Sequence, residues 1–129
     1  MATTNNFAVH QGTDVDLKVV LTDNATPKVA LNLSRVHFTV KKNENDPESD
    51  AVIVLDSHSA TGVARPGEIE ITDGVNGKAT IKITATKSNV PTRSYHYDIK
   101  VKDTAGKFHA PLEGTITIKT MVTDRNVAS

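Results

Sequence analysis

The chain has 129 residues, 15 Lys plus Arg against 15 Asp plus Glu, and neither cysteine nor tryptophan. That length suits one domain with a real core, and the absence of cysteine removes a disulfide framework and any thiolate metal site. The charges balance and the Lys and Arg residues are scattered singly, so nucleic acid is not an expected partner: tracking phosphates needs clustered cationic surface.

Val, Ile and Thr number 40, against 8 Leu plus Met. Branching at Cβ restricts χ1 and suits a pleated surface, so the expected fold class is all-β. The start, "MATTNNFAVHQG", lacks a basic segment followed by an apolar one, so it does not read as a secretory signal. The longest apolar run, "AVIVL" at 51–55, is too short to span a bilayer. The expectation is a soluble chain made in a cytoplasm, with no membrane partner.

In chain order, "TDVDLKVVLTD" alternates Val15, Leu17, Val19 and Leu21 against Asp14, Asp16, Lys18 and Val20, the period of a strand with one face inward. A loop with Pro27 follows, then Leu31 and Leu33, expected to tuck under the sheet. "RVHFTVKK" repeats the alternation through Val36, Phe38 and Val40. "AVIVLDS" reads as a strand buried on both faces or as an oligomer contact. Ile69 and Ile71 should pair with Ala79, Ile81 and Ile83 as a hairpin, because Asp73-Gly74 and Asn76-Gly77 are strong turn signals.

"TATKSNV" at 84–90 is the one plausible helical turn, limited by Asn89 and Pro91. Tyr95, Tyr97, Ile99 and Val101 then line one face of a strand, with His96, Asp98, Lys100 and Lys102 on the other. "DTAG" turns the chain through Gly106. "KFHA" runs back, Pro111 is expected to break it, and "GTITIKTMV" supplies the last strand through Ile116 and Ile118, with Met121 and Val122 as candidates to extend it. Seven to nine short strands with turn signals roughly every 8–12 residues predict an antiparallel β-sandwich of immunoglobulin-like type, with a closed barrel as the alternative. Residues 1–129 read as this single domain, with short terminal arms at about 1–6 and 123–129.

Chemistry is hard to find. The histidines at 10, 37, 58, 96 and 109 share no ligand spacing, and His37 and His96 fall on outward faces. Glu44, Asp46, Glu48 and Asp50 gather in "NENDPESD", but without the glycine of a calcium loop and with Pro47 in the middle. Asp56, Ser57 and His58 are chain neighbours, which rarely supplies triad geometry. No cofactor, metal or catalytic residue is expected.

The ordered series "QGTDVDLKVVLTD", "LNLSRVHFTVKK", "GKATIKIT", "YHYDIKVKDTAGK" and "GTITIKTMVTD" resembles small β-sandwich domains of tailed-bacteriophage virions, including the amino-terminal domains of baseplate upper proteins. It spans about Gln11 to Thr123. Asn32-Leu33-Ser34 departs from the usual "LTGA"-like segment, and the tryptophan usual before the central strand is missing. The resemblance implies a non-enzymatic virion component, assembled in the host cytoplasm. Its partners would be the major capsid protein or other virion subunits, and it would be present as a homo-oligomer or in many copies. A capsid decoration (cement) protein is the leading expectation, and a tail or baseplate adaptor the near rival. A carbohydrate-binding module is a competitor of another class, which would need Tyr95 or Tyr97 exposed. Phe7, Val122 and Arg125, near the two ends, are the expected assembly contacts.

Overall fold

The computed structural model describes residues 3–4, 6–22, 30–43, 45–59 and 61–120, with only the backbone of Thr3, Thr4 and Glu48. Nine strands run through it: β1 (Thr3–Thr4), β2 (Phe7–His10), β3 (Val15–Val20), β4 (Leu33–Lys41), β5 (Ile53–Asp56), β6 (Ile69–Asp73), β7 (Lys78–Ile83), β8 (Ser94–Asp103) and β9 (Phe108–Lys119). The larger sheet runs β9-β8-β4-β5, with β1 and β2 both laid along the free side of β9, and the smaller runs β3-β7-β6. All pairings are antiparallel except those of β1 and β2 with β9.

Two sheets with this connectivity form an immunoglobulin-like sandwich rather than a closed barrel. β3, β7 and β6 take the B, E and D places, and β4, β5, β8 and β9 take C, C′, F and G. Near the start of β8, the Tyr95 hydroxyl donates to the Pro91 carbonyl at 2.5 Å, the bond of a tyrosine corner.

The alternation read from the sequence decides which faces meet. Val36, Phe38, Val40, Tyr95, Tyr97, Ile99, Val101, Ile116 and Ile118 of the larger sheet turn inward against Val19, Ile69, Ala79, Ile81 and Ile83 of the smaller. Tyr97 sits between two rings, 5.5 Å from Phe7 and 5.6 Å from Phe38 by centroid. In antibody domains a disulfide and a tryptophan fill this region; here an aromatic cluster does so without cysteine.

Leu31 and Leu33 are buried as expected. The β6–β7 hairpin forms through a 3-10 turn (Gly74–Asn76), and Gly77 takes φ 70°. The helical turn is α1 (Ala85–Ser88), capped by Thr84, whose side chain accepts from the Lys87 N–H at 3.3 Å.

Two strand expectations need correction. β5 is an edge strand in which Val54 is exposed while Ile53 and Leu55 are buried, so one face of the "AVIVL" run is open. Pro111 does not break the chain: β9 runs through it. The β8–β9 register shifts here, His109 facing Val101 and Leu112 facing Ile99, and such a bulge accommodates a residue with no N–H to donate. Met121 and Val122, like the loop 23–29, lie outside the described residues.

Candidate functional site: the outer face of the larger sheet

Register places the outward side chains of three strands in rows. Arg35, His37, Thr39 and Lys41 of β4 stand opposite Lys102, Lys100, Asp98 and His96 of β8. Phe108, Glu113 and Thr115 of β9 stand opposite Lys102, Asp98 and His96.

At one end the face is basic with an exposed ring. Phe108 is 64% exposed, and Lys100 and Lys102 hold their ammonium groups 4.9 and 5.8 Å from its centroid. Such contacts keep two like charges beside one ring by cation–π attraction. In the next row Asp98 and Glu113 oppose one another directly. Asn6, Thr39, Lys41, His96 and Thr115 enclose these two acids in an open hollow of about 460 Å³. Like charges in register destabilise a sheet.

Toward the β5 edge, Asp56 organises a compact network. The Arg35 guanidinium donates to both of its oxygens at 2.9 and 2.6 Å, and the His37 Nδ1 lies at 3.1 Å. The His58 backbone N–H donates to the same carboxylate at 3.1 Å. Burial would raise the Asp56 pKa, but the bonds from Arg35, His58 and His37 outweigh it and hold the carboxyl at about 2. A second acid, Asp103, accepts from Ala105 and Lys107 N–H in the β8–β9 turn and meets His109 Nε2 at 2.9 Å. Its pKa is lowered, chiefly by His109 and next by Lys107.

These contacts also fix what Asp56, Ser57 and His58 can do. The buried Ser57 hydroxyl accepts from the Val36 N–H at 2.8 Å and lies 2.8 Å from His58 Nδ1. The carboxylate that should orient a catalytic imidazole bonds instead to Arg35, His37 and a backbone N–H. Serine, base and orienting acid are therefore not arranged in sequence, as nucleophilic catalysis requires. Among the described residues no three His, Cys, Asp or Glu side chains gather to hold a metal. In the acidic loop, Asp46 accepts from the Asn43 N–H at 3.1 Å; Glu44 lies outside the described residues.

Phe7 is half-buried with its ring against Tyr97, at the margin of the core. Val122 and Arg125 lie outside the described residues, as does the 123–129 arm. Within the amino-terminal arm, Thr3 and Thr4 pair with Leu112 and Glu113 of the same chain. Tyr95 and Tyr97 are 0% and 4% exposed, so neither forms a sugar platform. No described helix is long and apolar enough to cross a membrane.

The Arg35–Asp56–His37 network and the Asp98–Glu113 opposition went unread in the sequence. The spacing of Arg35 and His37 puts both on one face, but their acid is 21 and 19 residues away and is found only through the β4–β5 register.

No protein-family model matches the chain, and no curated protein matches it. Among solved structures, Tim-1 aligns at 11% identity and TM-score 0.43, over 97% of this chain and all of that one. Murine CRIg aligns at 11% identity and TM-score 0.40, over 90% of this chain and 92% of that one. Likeness at this level says nothing of what the chain binds, and the assignment of the sandwich rests on its own strand order and pairing.

Proposed function

We propose that this protein is a non-enzymatic structural component of a tailed-bacteriophage virion, a capsid decoration protein that stabilises the head through protein–protein contacts. One observation carries the reading. Over their described residues, the five motif segments behind the resemblance contain β3, the β4 approach and strand, β7, most of β8 with its turn, and the closing half of β9. The motifs that carry the resemblance, each mostly an alternation of apolar residues, thus fall on strands in order.

The described surface is consistent with such work. Arg35 and His37 are tied to Asp56, and His109 to Asp103, which stiffens two parts of this face. Rigid faces limit the ordering cost of association, and repetition over a lattice adds avidity. Val122 and Arg125 are the proposed contacts at the carboxyl end, and Phe7 can offer only the margin of a ring already packed on Tyr97.

Co-sedimentation with phage heads that lack the protein, and separately with tails, tests this. Saturable binding to heads, weakened by removing residues 123–129, is the expected result. Binding to tails alone would establish the adaptor instead, and binding to neither by the folded chain would overturn the virion assignment.

A further inference from the structure

The two sheets end in edges of very different character. β5 and β2 are four residues each, and β6 carries a register shift between Ile71 and Asp73. β3 is six residues in unbroken register with β7, contains neither Pro nor Gly, and among the described residues pairs on one side only. Short strands, bulges, prolines and edge charges blunt an edge; β3 has only the last, and its two charges, Asp16 and Lys18, are of opposite sign and can pair across a second strand.

The direction of its free backbone groups follows from the ladder. The Leu21 N–H donates to the Gly77 carbonyl at 2.8 Å, which continues the β3–β7 register. Hydrogen-bonded pairs alternate in an antiparallel ladder, so Val15, Leu17 and Val19 bond toward β7. The N–H and C=O of Asp16, Lys18 and Val20 therefore point away from the sheet, and no other backbone bond takes them up among the described residues.

We propose that this edge pairs antiparallel with the β3 edge of a second copy, about a two-fold axis at Leu17. The side chains select both occupant and register. With Leu17 opposite its own counterpart, Asp16 lies opposite Lys18 of the second copy, and Lys18 opposite its Asp16. Both are opposite-charge pairs at hydrogen-bonded positions. Sliding by two residues puts Lys18 on Lys18 or Asp16 on Asp16, and sliding by one turns the apolar face outward. A "D-x-K" edge is self-complementary only toward its own antiparallel copy. Val15 and Leu17 face the core but are only half-buried, and the second copy would cover this margin with its own Val15 and Leu17. The two three-stranded sheets would join into one of six. The pairing does not depend on the virion reading.

Sedimentation equilibrium over a concentration series tests the charges. Wild type should dimerise reversibly. Asp16→Lys and Lys18→Glu should each weaken the dimer about tenfold or more, because each replaces two attractive pairs with two repulsive ones. The double exchange should restore it. The chain has no cysteine, so Leu17→Cys gives an independent readout. At the non-hydrogen-bonded pair on the axis, Cα atoms about 4.5 Å apart permit a disulfide. The Leu17→Cys chain should cross-link to itself under mild oxidation, and a Val19→Cys chain should not. A wild type that stays monomeric to its highest soluble concentration, without Leu17→Cys cross-linking, would overturn the proposal. So would a dimer indifferent to all the charge exchanges.

Discussion

Tyr95 shows how one hydroxyl can hold a corner of the molecule. Its ring is fully buried and its oxygen bonds the carbonyl of Pro91, where the chain leaves α1 and enters β8. Gln11 reaches the Val90 carbonyl at 2.8 Å, and the Ser88 hydroxyl reaches that of Thr13 at 2.7 Å, so the same corner is tied to the β2–β3 turn. Tyr95→Phe keeps the packing and leaves a carbonyl short of its donor. It should cost about 1–2 kcal/mol by urea denaturation, with the fold retained. That Tyr95 faces inward was legible from alternation; the bond was not, because the loop geometry that brings Pro91 to the hydroxyl has no periodicity.

Asp56 is the other residue with a measurable signature. Its folded pKa, about 2, lies below the ordinary 3.8, so its contribution is present above the ordinary value and is lost as pH falls toward 2. Wild type should therefore lose about 2 kcal/mol between roughly pH 4 and 2 from this group. Asp56→Asn should lower stability at neutral pH by a similar amount and flatten that part of the profile, read from urea midpoints across the range. A wild-type profile matched by the variant would contradict the network.

Among the elements, the β6–β7 hairpin depends on Gly77. It has φ 70°, and a Cβ placed there would collide with the Leu21 carbonyl oxygen and crowd that of Leu31. Gly77→Ala should cost about 3 kcal/mol by chemical denaturation. Gly106 is also left-handed, at φ 88°, but has nothing within 4 Å of a built Cβ, so Gly106→Ala should cost about 1 kcal/mol, from conformation alone. Equal losses would mean that the close approach to Leu21 does not matter.

The Asn-Gly and Asp-Gly dipeptides made this hairpin readable, and alternation made β3, β4 and β8 readable, since local chemistry dictates both. Pro111 misled because a bulge is a property of two strands. Of the two readings of the run at 51–55, burial on both faces failed because position at a sheet edge, which leaves Val54 exposed, is set by partners distant in sequence.

For the whole molecule, the sandwich was legible because β-branched composition, turn spacing and inward faces all pointed to one architecture. The candidate face was legible only in part. Each outward residue of β8 could be read from its strand, yet the opposition of Asp98 to Glu113 and the pairing of Arg35 with Asp56 arise from inter-strand register. The outer face divides into a basic, ring-bearing end and a hollow that holds Asp98 and Glu113 beside Lys41 and His96.

The most direct test of the proposed virion role is quantitative mass spectrometry of phage particles purified from cultures that make the protein, with heads and tails separated. The account predicts copies on the head in a number that follows the icosahedral lattice. Absence from both fractions of intact virions would contradict it.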